Sequence, residues 1–191
     1  MSNHKALFLD RDGVINVNHG YVYKSEDIDF IDGIFDLIKR FVDQGFMPVI
    51  ITNQSGIARG YFTEQQFFNV MEHIQKCFGE HGLPPIPAFF CPHHPDFQNS
   101  DSALAQCECR KPMPGMILEA SSQYEIDLSQ SVFLGDKLTD IESAKRAGVG
   151  RKILYDPKSE QVQRLNTPNY DQRAVTETDF EAATSLHAIE A

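Results

Sequence analysis

The stretch Ala6-Leu7-Phe8-Leu9-Asp10-Arg11-Asp12-Gly13 decides how this chain is read. Four apolar residues, enough for a buried strand, run straight into two carboxylates and a glycine. The same change recurs where Val49-Ile50-Ile51 meets Thr52, and where Ser131 to Leu134 meets Gly135-Asp136. Helical periodicity separates these runs. Ile34, Leu37, Ile38 and Phe41 form one face, stopped by Gly45. Phe67, Val70, Met71 and Ile74 form another, opened by Thr63-x-x-Gln66 as a capping box. Met116 to Tyr124 and Leu138 to Ala147 read as two more helices, the second closed by Gly148. Ala88-Phe89-Phe90 and Arg151 to Tyr155 read as strands, and Asp156 to Asn169 as a polar, turn-like segment. A last strand near Arg173 to Val175 and a last helix from about Asp179 to Ala188 complete the pattern. Strands alternating with helices predict an α/β fold, a parallel sheet with helices on both faces. Ligands of such sheets sit outside the carboxyl ends of the strands. Asp10, Asp12, Thr52 and Asp136 fall there.

Composition narrows the classes. The chain has 191 residues, which predicts one domain over 1–191. A hydrophobic fraction of 41% is enough for a core and excludes wholesale disorder. A net charge of −10 argues against nucleic acid held by charge, because few counterions would be released from phosphates. The run Ala6 to Leu9 is too short for a signal sequence, and Phe46 to Ile51 contains Pro48 and is far too short to span a bilayer. The expectation is a cytoplasmic protein without a membrane partner, and a monomer.

Two carboxylates two residues apart at a strand exit repel unless a cation or proton lies between them. Mg²⁺ suits such oxygen ligands, while Asp12-Gly13 is equally ordinary turn chemistry. Asp136 or Thr139 could be a helix cap, and Asp140 is as readily a first-turn charge as a functional group. Thr52-Asn53-Gln54-Ser55-Gly56 could be a polar loop or a hydroxyl and N–H cradle for phosphate. Arg110-Lys111-Pro112 taken alone reads as a surface pair. Each piece is weak; the ordered set, spanning Leu7 to Asp140, resembles the haloacid dehalogenase-like phosphatase superfamily. That resemblance implies a Rossmann-like sheet without a separate cap domain. It makes Asp10 the nucleophile, forming an aspartyl-phosphate, and Asp12 the general acid and then base. Thr52 and Lys111 would hold the phosphoryl oxygens, with Mg²⁺ on Asp10, the backbone carbonyl of Asp12, and Asp136.

The cysteines carry a second signal. Cys91-x-His93 and Cys107-x-Cys109 would make a Cys₃His site, the closed type used for structural Zn²⁺. A long loop at about 91–109 with little apolar content needs such a clamp. His94 is the competing ligand to His93, and Cys77 reads as a core residue. Cys109 adjoins Arg110 and Lys111, so fixing it fixes two cations.

The finer motifs, Asn16 through Tyr21, Thr52 to Gly60, Cys91 to Pro95 and Cys107 to Pro112, are similar to the heptose bisphosphate phosphatases, in the histidinol-phosphatase-related branch. This resemblance implies removal of the 7-phosphate from D-glycero-D-manno-heptose 1,7-bisphosphate. The product, heptose 1-phosphate, feeds ADP-heptose and the lipopolysaccharide core. Asn18 and Met113 depart from the family's commoner acidic and His residues. A small-molecule sugar bisphosphate needs a cation for its remote phosphate, and Arg110 suits it. Lys137 could contact substrate, the loop Asn18, His19, Gly20 and Tyr21 could bond sugar hydroxyls, and Asn53, Gln54 and Ser55 complete the expected substrate set. Histidinol phosphate is the alternative substrate, and a non-catalytic zinc-stabilised interaction module the alternative class.

Overall fold

The computed structural model describes residues 4–95, 107–167 and 174–191. Six strands form one sheet: β1 (Lys5–Leu9), β2 (Phe46–Asn53), β3 (Ala88–Cys91), β4 (Val132–Gly135), β5 (Arg151–Tyr155) and β6 (Glu181–Ala183). Their order is β3-β2-β1-β4-β5-β6 and every neighbouring pair is parallel. Among the described residues five α-helices accompany them: α1 (Ile34–Asp43), α2 (Glu64–Glu80), α3 (Gly115–Tyr124), α4 (Leu138–Ala147) and α5 (Glu160–Leu165).

Alternation along the strands builds two cores. Leu7 and Leu9 of β1, Ile50 of β2 and Leu134 of β4 pack with Ile34, Leu37, Ile38 and Phe41 of α1 and with Phe67, Val70 and Ile74 of α2. Ala6, Phe8, Val49, Ile51 and Phe133 point the other way, onto Met116, Ile117 and Ala120 of α3 and Ala144 of α4. Helices therefore cover both faces, and the strands read as unbroken apolar runs because neither face meets water. Thr63 and Gln66 form the expected capping box at the start of α2.

Pro48 lies inside β2, where proline is normally excluded. Ile50 N donates outward to Pro87 O, beside β3. Pro48, two residues earlier, faces the same side, where β3 has not yet begun, so no ladder bond is lost.

The C-terminal region differs from expectation. Asp156 to Asn169 contains a helix, α5, because the Asp156 carboxylate accepts from the N–H groups of Glu160, Gln161 and Val162. The expected strand near Arg173 to Val175 lies partly outside the described residues, and Val175 is not in a strand. The expected helix over Asp179 to Ala188 gives way to β6 and a single 3₁₀ turn. The open edge of β5 pairs with Glu181, Ala182 and Ala183, and Arg151 grips the Glu181 carboxylate with two N–H groups at 2.9 Å. Arg40 then ties down the tail through Leu186 O and Ile189 O.

Candidate active site

The strand order reverses direction between β1 and β4. The chain leaves both strands at the same end, so Asp10 and Asp136 face each other across that switch point. Asp10 N bonds Leu134 O at 3.0 Å, which locks the two exits together. Lys111 arrives from the segment before α3. Asn53, the last residue of β2, holds its backbone on both sides: Asn53 Nδ2 donates to Lys111 O, and Lys111 N donates to Asn53 Oδ1. The buried ammonium then meets three acceptors: Asp10 Oδ1 and Asp140 Oδ1, each at 2.8 Å, and Ile51 O at 2.9 Å. Burial alone would favour the neutral amine, but the Asp10 and Asp140 carboxylates outweigh it and raise the Lys111 pKa above its ordinary value.

Three carboxylates converge here. Asp10, Asp136 and Asp140 offer oxygens within 4.8 Å of one another. Asp140 is already engaged, since its Oδ2 accepts from the N–H groups of Asp136 and Lys137 while its Oδ1 takes Lys111. Asp136 is less so: its Oδ2 has the Lys137 ammonium at 3.9 Å, while its Oδ1 is buried with no hydrogen-bond partner among the described residues. Burial, then the charges of Asp10 and Asp140, push the Asp136 carboxyl up to about 9. A divalent cation is the group that relieves such crowding, and the orphaned oxygen beside Asp10 fits one with oxygen ligands. Gly13 is required by this closeness. Its φ is +103°, and a Cβ there would meet the Asp136 carboxylate.

Asp12 turns toward the cleft. Arg11 Nη2 and Asn16 Nδ2 donate to its Oδ1, at 2.8 and 3.1 Å, and Gln54 Nε2 donates to its Oδ2 at 2.9 Å. Gln54 Nε2 also reaches the buried Thr52 Oγ1. A cleft of about 330 Å³ opens over Asp12. Asn18, Gly20, Tyr21, Asn53, Gln54, Ser55 and Lys137 line it. His19 faces away, into a neighbouring depression, 3.7 Å from Asp29. Arg110 is turned to the cysteine loop, where its Nη1 donates to His93 O. Sequence alone assigns no role to Arg11 or Asn16 and leaves Asp140 open between a first-turn charge and a functional group. Their signal is the packing of charge at three strand ends, which appears only once the sheet is assembled.

The two described ends of the cysteine stretch, 91–95 and 107–109, meet; residues 96–106 of the expected zinc loop lie outside the described residues. Cys91, His93, Cys107 and Cys109 present one ligand atom each, all within 4.8 Å of one another. His93 Nδ1 faces the three sulfurs, at 3.7, 3.0 and 3.4 Å from Cys91, Cys107 and Cys109. His94 instead meets Arg59 Nη2 through its Nε2. Burial pushes the Cys91 thiol up, and the Arg110 charge pulls it partly back. Three sulfurs and an imidazole are a donor set for a tetrahedral soft metal. The Cys107 and Cys109 sulfurs also lie close enough to be joined as a disulfide. Glu108 O accepts from Gly115 N, so the loop leans on the first turn of α3.

Comparison with known proteins settles the family. The family described as polynucleotide kinase 3 phosphatase matches residues 7–188. A Yersinia pestis protein named D-glycero-beta-D-manno-heptose-1,7-bisphosphate 7-phosphatase is 45% identical over 149 residues, 78% of this chain and 79% of that protein. The chain belongs to the heptose bisphosphate phosphatase family. A Campylobacter jejuni member, named for the alpha anomer, is 42% identical and covers 82% of this chain and 86% of its own. A solved heptose bisphosphate phosphatase from B. bronchiseptica, complexed with magnesium and phosphate, shares the fold with a TM-score of 0.79. It is 27% identical and covers 96% of this chain and 94% of that one. Family membership accords with the site: the chain is a haloacid dehalogenase-like phosphatase, with Asp10 just after β1 and Asp136 just after β4 on neighbouring strands.

Proposed function

We propose that this chain is the Mg²⁺-dependent phosphatase that removes the 7-phosphate of D-glycero-D-manno-heptose 1,7-bisphosphate, leaving heptose 1-phosphate for ADP-heptose and lipopolysaccharide core synthesis. The observation that carries the chemistry is the pairing of Lys111 with Asp10 beside the unpartnered oxygen of Asp136. Asp10 attacks phosphorus and forms an aspartyl-phosphate as the ester bond breaks. Asp12 gives its proton to the leaving sugar oxygen, then takes one from the water that hydrolyses the acyl-phosphate. All three donors of Lys111 are engaged before substrate arrives. The one on Asp10 Oδ1 passes to a phosphoryl oxygen as Asp10 loses its negative charge. Thr52 Oγ1 lies at the floor of the same site. Asp10, Asp136 and the backbone carbonyl of Asp12 would hold the Mg²⁺, which offsets the repulsion between carboxylate and phosphate. Asn18, Gly20, Tyr21, Asn53, Gln54, Ser55 and Lys137 would bind the sugar bisphosphate from the cleft wall. Arg110 and His19 would have to turn toward the cleft to join them.

Phosphorus NMR of the product tests the regiochemistry. Supplied with either anomer of the bisphosphate alone, the enzyme is expected to leave one ester resonance, that of the anomeric phosphate, beside inorganic phosphate. Accumulation of heptose 7-phosphate would overturn the assignment.

The Cys91, His93, Cys107 and Cys109 cluster would hold a structural Zn²⁺, fixing Cys109 and hence the adjoining Arg110 and Lys111. The expected result is one zinc per chain by elemental analysis. A strong chelator should lower the melting temperature, with zinc but not a reductant restoring it. A stoichiometric Cys107–Cys109 disulfide in cytoplasmic extract would contradict this.

The whole chain would work as one domain, as a cytoplasmic monomer. No helix among the described residues is long and apolar enough to cross a membrane. Among the described residues the large exposed apolar side chains are few: Tyr21 and Tyr61 pack against each other with their rings tilted by 59°, Tyr21 at the cleft, while Phe68 and Leu118 sit on different helices.

A further inference from the structure

Arg11 has no assigned role, yet it is the largest fully buried side chain, 1% exposed. Its Nη2 donates to Asp12 Oδ1 at 2.8 Å and to Val22 O at 2.9 Å. Its Nε and Nη1 are buried and have no hydrogen-bond partner among the described residues. The guanidinium carbon lies 5.7 Å from the centre of the Phe67 ring. A buried cation with two unsatisfied N–H groups is costly, and as packing alone a hydrocarbon of equal volume would serve better. The compensating contact is with Asp12. We propose that Arg11 is a positioning residue for proton transfer, fixing Asp12 by Oδ1 so that Oδ2 alone faces the leaving group. The proposal rests on the reading of Asp12 as general acid.

The hydrogen bonds assign the two oxygens different tasks. Oδ1 accepts from Arg11 Nη2 and Asn16 Nδ2, which fills both of its lone pairs. Among the described residues Oδ2 accepts only from Gln54 Nε2, and it keeps one position for a proton. As Asp10 bonds phosphorus, the phosphorus–oxygen ester bond breaks and its electron pair goes to the sugar oxygen. The proton on Asp12 Oδ2 follows, giving the alcohol and leaving Asp12 ionised against Arg11. The second bond of Arg11, to Val22 O, ties this carboxylate to the loop that follows Asn18, Gly20 and Tyr21. One guanidinium nitrogen thus sets the acid and the substrate loop in a common frame.

The test uses leaving groups of different need. An alkoxide leaves only with a proton, whereas p-nitrophenolate leaves without one. kcat/KM, which reports steps through cleavage of the ester, is compared for the heptose bisphosphate and p-nitrophenyl phosphate. Arg11→Met is expected to lose at least about 10-fold on the sugar ester, out of the ~10²–10⁴ that general acid catalysis supplies. It should stay within about 3-fold on the nitrophenyl ester, less than the smallest acid-catalysis effect. Arg11→Lys keeps a buried cation and should recover part of the loss; it carries the comparison if the Met variant does not fold. In an Asp12→Asn background, the Arg11 substitution should no longer change the ratio of the two esters. Equal losses on both esters, no loss on either, or an undiminished effect without Asp12 would each overturn the proposal. An Asp12→Asn enzyme that treats both esters like the wild type would instead remove the general-acid reading itself.

Discussion

Asp10→Asn is expected to abolish turnover, by at least about 10⁴-fold in kcat, a loss typical of removing a nucleophile. The amide cannot form a stable acyl-phosphate, so what remains is the binding site. The fold should survive. Lys111 keeps its bonds to Asp140 and Ile51 O, and a buried amide can still accept from its ammonium. The variant should therefore melt close to the wild type and still bind the bisphosphate. The check is phosphate release against purified variant, with trapping of a ³²P-labelled acyl-enzyme by acid quench. Label should appear in the wild type only. A variant that retained activity within tenfold would place the nucleophile elsewhere.

Lys111→Met should damage stability and catalysis together. Lys111 is buried between Asp10 and Asp140, and removing it leaves two buried carboxylates unpaired beside Asp136. Breaking a buried pair in this way costs about 3–5 kcal/mol. Loss of one preorganised donor to the phosphoryl group should lower kcat by about 10²–10³-fold. The pH dependence has a definite sign. Asp136 is pushed up to about 9 already by burial and by the charges of Asp10 and Asp140, and losing Lys111, one of the two cations that hold it down, should raise it further. Groups whose folded pKa is raised support the fold below their unfolded pKa and cost stability as pH rises through the folded one. The deficit of the variant should thus grow from mildly acidic to alkaline pH, and excess Mg²⁺ should reduce it. Denaturant titration at both pH values measures this. A deficit independent of pH and of Mg²⁺ would contradict the account of the carboxylate cluster.

Much of this was legible in the sequence because chemistry sits at strand ends. Ala6 to Leu9 is fully buried, and Asp10 follows it as the sheet topology requires. Cys91-x-His93 and Cys107-x-Cys109 meet because short spacing brings each pair to one side of its loop, leaving the fold only to join two pairs. What was not legible depends on tertiary pairing. Residues 181–183 carry enough Ala and Glu for a helix, but the exposed edge of β5 and the charge of Arg151 pull them into the sheet. Asp140 reads in sequence as equally a first-turn charge or a functional group, and becomes the anchor of Lys111 only when residues 111 and 140 are brought together. Arg110 reads as a phosphate cation beside Lys111, yet the loop that brings it there also engages its guanidinium through His93 O.

The most direct test of the central claim is kcat/KM for phosphate release with Mg²⁺, from D-glycero-D-manno-heptose 1,7-bisphosphate and from histidinol phosphate, with Asp10→Asn as blank. The account predicts a preference for the bisphosphate of at least about 100-fold, roughly 2.7 kcal/mol of transition-state discrimination. Equal or reversed values would contradict the substrate assignment and leave only the phosphatase chemistry of Asp10 standing.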